Sequence, residues 1–176
     1  KLYLNANSSF TSKDLIPVFH NWIQEKAVSN HLLIDVADYS HIPDGPGVML
    51  VAHEGHFSLD QENHKLGIMY MRKTKIDGNF QERFVKILTT AVQAANRLID
   101  NNIDKEIDFI KNSFRFITND RRFAENTLEN QILYQDEVQK ALVELYPASK
   151  VKYENISGAN ERLAFTINFS QGFDIL

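Results

Sequence analysis

The sequence predicts an α+β fold in which an antiparallel sheet packs against two long helices. Two patterns carry that prediction. Apolar residues recur at helical spacing from Phe80 to Ile99 and again from Leu128 to Leu145, as they do where one side of a helix is buried. Around these stretches lie short runs of Val, Ile, Leu and aromatic residues separated by turn chemistry, which is the mark of strands.

Taken in order, Lys1–Asn5 reads as a short strand. Ser12 to Asp14 offer N-caps for a helix with Leu15, Phe19, Trp22 and Ile23 on one side. With Asp14 as cap, Pro17 falls in the first turn, where its missing N–H costs no helical bond. Three strands follow, Leu32–Tyr39, Val48–Phe57 and Lys65–Lys73, and are expected to form an antiparallel meander. Pro43, Gly45, Pro46 and Gly47 make the first connection a turn, and the polar stretch Asp60–His64 suits a hairpin.

Asn79 with Glu82 forms a capping box for the first long helix, along which Phe80, Phe84, Ile87, Leu88, Ala91, Ala95, Leu98 and Ile99 repeat at helical spacing. A strand near Ser113–Thr118 leads to the second, opened by Asn126 or Thr127 and ended by Pro147, with Leu128, Ile132, Val138, Leu142 and Leu145 inward. Val151–Ile156 and Arg162–Phe169 close the chain as two strands, the last alternating Leu163, Phe165, Ile167 and Phe169 with Ala164, Thr166 and Asn168. The order β-α-β-β-β-α-β-α-β-β repeats strand–helix–strand–strand. It reads either as a duplicated architecture or as the ordinary alternation of an α+β chain.

One domain spanning 1–176 is expected, since 176 residues suffice to bury a core without disulfides or a structural metal. A net charge of -4 and no cysteine leave no basic field for nucleic acid, no disulfide framework and no thiolate metal site. No apolar run approaches the roughly 20 residues of a membrane span, so a cytoplasmic location is expected. Triplets at Asn7, Asn155 and Asn168 fit the glycosylation pattern, which matters only on a secreted chain.

The chemistry concentrates in His53-Glu-Gly-His-Phe-Ser-Leu-Asp60. Imidazoles and carboxylates of this kind ligate metals or move protons, so His53, His56 and Asp60 form a candidate metal set with Glu54 as candidate base. The two His are two residues apart on a strand, unlike the helical zinc-protease spacing. The plainer reading is a solvated ladder. A hairpin closing near Asp60–Lys65 would set His53 and Glu54 opposite Arg72 and Met71, and Glu54 or Asp60 would pair with Arg72, Lys73 or Lys65.

Asp35 and Asp38 interrupt an apolar strand and either line a pocket with His41 and His53 or serve the turn after Tyr39. Arg121 and Arg122, ahead of a helix, suit an anion or are incidental charge. Gly45-Pro-Gly47 lacks the elements of a phosphate loop, and Ser8, Ser9 and Ser58 lack a nucleophile elbow.

Ile16-Pro-Val-Phe-His20 with Trp22-Ile-Gln24, Leu33–Tyr39, Pro43–Gly47, His53-Glu54 with Ser58 and Asp60, and Leu66–Tyr70 with Arg72-Lys73 together resemble a family of uncharacterised bacterial proteins. The resemblance covers about the first 80 residues and implies a bacterial, cytoplasmic protein with no assigned activity. The functional expectation is a self-associating binding or assembly module with a polar ligand site on the central hairpin formed by His53, Glu54, Asp60, Arg72, Asp35 and Asp38. A small metal-dependent hydrolase or lyase is the alternative. A third reading gives Arg72, Arg121 or Arg122 an anionic small molecule.

Overall fold

A computed structural model describes residues 1–6, 10–101, 107–147, 150–155, 157–158 and 160–170, with the backbone alone for Asn63. The chain is α+β, with eight strands and three α-helices among the described residues. Its internal contacts divide it into two compact units, Lys1–Lys75 with Thr89–Ile110, and Ile76–Leu88 with Lys111–Ile175.

The first unit holds β1 (Leu2–Leu4), α1 (Leu15–Glu25), β2 (Leu33–Tyr39), β3 (Gly47–Ala52), β4 (Gly55–Asp60), β5 (Gly67–Arg72) and the second half of α2 (Phe80–Asp100). Its strand order is β2-β3-β4-β5-β1, followed by the start of β6 (Phe109–Ile117). Successive pairs from β2 to β5, and β5 with β1, are antiparallel. The meander therefore has four strands where three were expected. Val48–Phe57 is not one strand, because the chain reverses at His53-Glu54.

Helix α1 explains the core. Leu15, Phe19 and Trp22 recur one and two turns apart, and all three are fully buried, each worth about 1.5–3 kcal/mol of transfer free energy. Trp22 meets Phe57 edge-on with ring centroids 6.4 Å apart, and Phe57 lies 4.7 Å from Tyr70. Asp14 is the N-cap residue of α1, as expected, though its side chain makes no cap bond to the helix, and a 3-10 turn, Ser12–Asp14, capped by Thr11, leads into it. The Asp14 carboxylate accepts from the Thr11 amide at 2.8 Å. α1 is the first of the three helices in the expected order, shorter than the two that follow.

Alternation then sorts the sheet into two faces. Val48, Leu50, Phe57, Leu59 and Ile68 are fully buried on the face that carries α1. Met49, Val51, His56, Met69 and Met71 point the other way and are half-buried.

The second unit holds the first half of α2, most of β6, α3 (Leu128–Leu145), β7 (Val151–Asn155) and β8 (Ala164–Phe169), with strand order β6-β8-β7 and both pairs antiparallel. The expected capping box is present: the Glu82 amide donates to Asn79 Oδ1 and the Asn79 amide to Glu82 Oε2, each at 2.9 Å. Phe80, Phe84, Phe116 and Tyr134 form an aromatic cluster with Phe165 against Phe116.

Thr127 caps α3 by accepting from the Asn130 amide. The inward face of this helix differs from expectation. Val138, Ala141 and Leu142 are buried, but Leu128 is 73 % and Ile132 60 % exposed. Apolar residues lie on more than one flank of α3, and periodicity alone does not say which flank meets the core. No helix among the described residues is long and apolar enough to cross a membrane.

Candidate functional site

The reversal at His53-Glu54 sets the geometry of the polar segment. Gly55 opens β4 because a Cβ there would lie 2.7 Å from the Met71 carbonyl and 2.9 Å from the Tyr70 hydroxyl. Gly55 pairs with Arg72 and His56 with Met71, so the expected pairing of His53 with Arg72 and Glu54 with Met71 is off by two residues. The β4–β5 connection runs through a 3-10 turn, Glu62–His64, and fixes that register.

Each carboxylate of the expected site has an internal task. Glu54 Oε2 accepts from the Leu32 amide at 2.7 Å, while the Glu54 carbonyl accepts from the amides of Lys73 and Thr74. The Leu32 bond holds the Glu54 carboxyl below its ordinary range, because only the charged form accepts fully. Asp35 accepts from the Val36 amide at 2.8 Å and Asp38 from the Ser40 amide at 2.9 Å. Hydrogen bonding from the Ser40 hydroxyl first, and from its amide second, likewise lowers the Asp38 carboxyl. His41 and His53 are exposed.

Asp60 is buried, 4 % exposed, and ion-paired with Lys1, whose side chain is fully enclosed. Arg72 donates from Nε to the Thr74 carbonyl and from Nη1 to the Tyr70 hydroxyl. The proposed metal set of His53, His56 and Asp60 is thus not assembled. Among the described residues no three His, Cys, Asp or Glu side chains gather to hold a metal ion. The reason is parity and distance: His53 sits in the turn, and Asp60 lies at the far end of β4 on Lys1.

The structure does gather a cluster that the sequence hid. His31, in the connection after α1, accepts or donates at both ring nitrogens, with Nδ1 2.9 Å from the Ser29 carbonyl and Nε2 2.7 Å from the Tyr70 hydroxyl. A carbonyl can only accept, so Nδ1 carries a proton, and Nε2 shares a hydrogen bond with the Tyr70 hydroxyl. Arg72 Nη1 donates to the same phenol oxygen at 3.4 Å. Tyr70 is 7 % exposed, and burial raises its pKa. This polarised phenol ties the α1–β2 connection to β5. An isolated loop His and a strand Tyr 39 positions apart give no sequence signal for it.

Comparison of the chain with protein-family models, curated proteins and solved structures found no match. Its function is therefore argued from geometry alone.

In the second unit Arg121, Arg122, Glu125, Asn126 and Thr127 line a depression of about 530 Å3 at the start of α3. Asn126 is held there by Ser157, the Gly158 carbonyl and Gln131. Ser8 and Ser9, and the triplet that begins at Asn7, lie outside the described residues, as does Ile156 of the Asn155 triplet. Ser58 is buried within β4.

Proposed function

We propose that this chain is a binding or assembly module that associates with copies of itself, in the cytoplasm of a bacterial cell. One observation supports this reading above the others. Large exposed apolar residues fall mainly on two stretches: Leu32, Ile34, Tyr39 and Ile42 along and after β2, and Phe123, Leu128, Ile132 and Leu133 at the start of α3. Ile34 is 54 % and Phe123 88 % exposed, and burying such groups against a partner is what stabilises association.

β2 ends the strand order, with β3 as its neighbour among the described strands. Leu128, Ile132 and Val143 fall within about 60° of one another around α3 at 100° per residue, so they form one apolar flank. The carboxylates around the hairpin, by contrast, already accept from amides or pair with Lys1, which is a poor starting point for general-base hydrolysis.

Light scattering across a concentration series tests the reading. Assembly should grow with concentration, and Ile34→Lys or Leu128→Lys with Ile132→Lys should return the chain to monomer. A wild-type chain that stays monomeric at high micromolar concentration would end the proposal.

A second reading draws on the depression at Arg121 and Arg122. Two guanidiniums beside a helix start suit a phosphate or carboxylate, although Glu125 lines the same space. Thermal-shift screening with acidic metabolites tests it, since a ligand at a hundred times its Kd stabilises by about 2.7 kcal/mol.

A further inference from the structure

All three methionines of the chain leave the sheet on one face. Met69 stands directly opposite Ser58, Ser58 directly opposite Met49, and Met71 directly opposite His56. Directly opposed side chains have Cβ atoms about 4.5–5.5 Å apart and diagonal ones about 7–8 Å. His56 is therefore a direct neighbour of Met71 and a diagonal neighbour of both Met49 and Met69, within reach of flexible thioether chains.

The four side chains are half-buried on the face opposite α1. The fully buried positions of the same strands, Leu50, Phe57 and Ile68, carry no sulfur. Nδ1 of His56 is enclosed and has no hydrogen-bond partner. A buried ring nitrogen left unsatisfied costs free energy unless something occupies it.

We propose that His56 together with Met49, Met69 and Met71 forms a site for a soft monovalent cation, copper(I), for which silver(I) is the redox-inert stand-in. Thioether sulfur and imidazole nitrogen are the donors that favour copper(I), whereas the harder divalent ions seek the carboxylates and thiolates that this face does not gather.

The charged groups on this face allow a single positive charge. Lys73 is turned to the Ala52 carbonyl at 3.3 Å, Asp35 extends from β2, and Asp60 is matched by Lys1. The site is independent of the association surfaces on β2 and α3.

The test uses the full chain without an affinity tag, labelled at the methionine methyl carbons and titrated with silver(I) at neutral pH. One equivalent should shift all three methyl signals and the His56 ring signals together. Native mass spectrometry should show one silver ion per chain, and zinc(II) should leave the methyl signals in place. Met69→Leu with Met71→Leu keeps side-chain volume and should weaken silver(I) binding at least tenfold while the amide spectrum stays folded. If that pair disturbs the fold, Met49→Leu alone should still weaken binding severalfold. Methyl signals that move one by one over several equivalents, an equal response to zinc(II), or unchanged affinity in the leucine variants would overturn the site.

Discussion

On β3, β4 and β5 the side chains of Leu50, Phe57, Ile68 and Tyr70 leave the same backbone in the opposite direction from Met49, His56, Met69 and Met71. The first set is at most 7 % exposed and interlocks with Trp22 of α1. The second is half-buried and includes a ring nitrogen with no partner. Both sets are largely apolar, so hydrophobicity does not separate them. What separates them is branching and polarity: rigid aliphatic and aromatic groups pack to crystal-like density, while unbranched thioethers fill a surface that can still rearrange.

The sharpest way to break this comparison is Phe57→Ala. Phe57 is fully buried and touches the rings of Trp22, His31 and Tyr70, and its truncation should cost about 3–5 kcal/mol in urea unfolding. Asp60→Ala should cost almost as much, about 3 kcal/mol, because it leaves the enclosed Lys1 ammonium without its carboxylate. A loss under about 1 kcal/mol would show that Lys1 escapes to water.

Tyr70→Phe probes the edge of the packed face more gently. It removes the hydroxyl from His31 and Arg72 and should lower stability by about 1 kcal/mol. The smallest effect concerns pH. Glu54 and Asp38 both have carboxyls lowered in the fold by hydrogen bonds, from the Leu32 amide and from the Ser40 hydroxyl and amide respectively. Stability from a lowered carboxyl is present above its unfolded pKa and lost as pH falls through the folded one. Thermal unfolding of Glu54→Gln with Asp38→Asn should therefore change less than wild type between roughly pH 5 and pH 3.

Local signals in the chain were legible where a side chain bonds its own neighbourhood. Asn79 with Glu82, and Thr127 at α3, cap as read, because a capping box is complete within four residues. The strands β2, β5, β7 and β8 also emerge close to their expected spans, while β6 begins four residues before the expected Ser113. The reversal at His53-Glu54 did not, since apolar residues continue on both sides of it and Gly55 alone marks the break.

The candidate site was less legible for a related reason. Its residues were grouped by closeness in sequence, but Asp60 answers to Lys1, 59 positions away, and Tyr70 to His31, 39 positions away. Similarly, the spacing of Leu128 and Ile132 shows that they share a flank of α3 and not that this flank faces solvent.

The amides of Val36 and Ser40 are each already taken by a neighbouring carboxylate, Asp35 and Asp38. Val36 lies within β2 and Ser40 directly follows it, so a foreign strand that tried to pair along β2 would find the Val36 donor occupied and two negative charges in its way. Natural sheets use such charges to prevent runaway fibre growth. On the association proposed above, they would let β2 meet another molecule through its side chains without polymerising through its backbone.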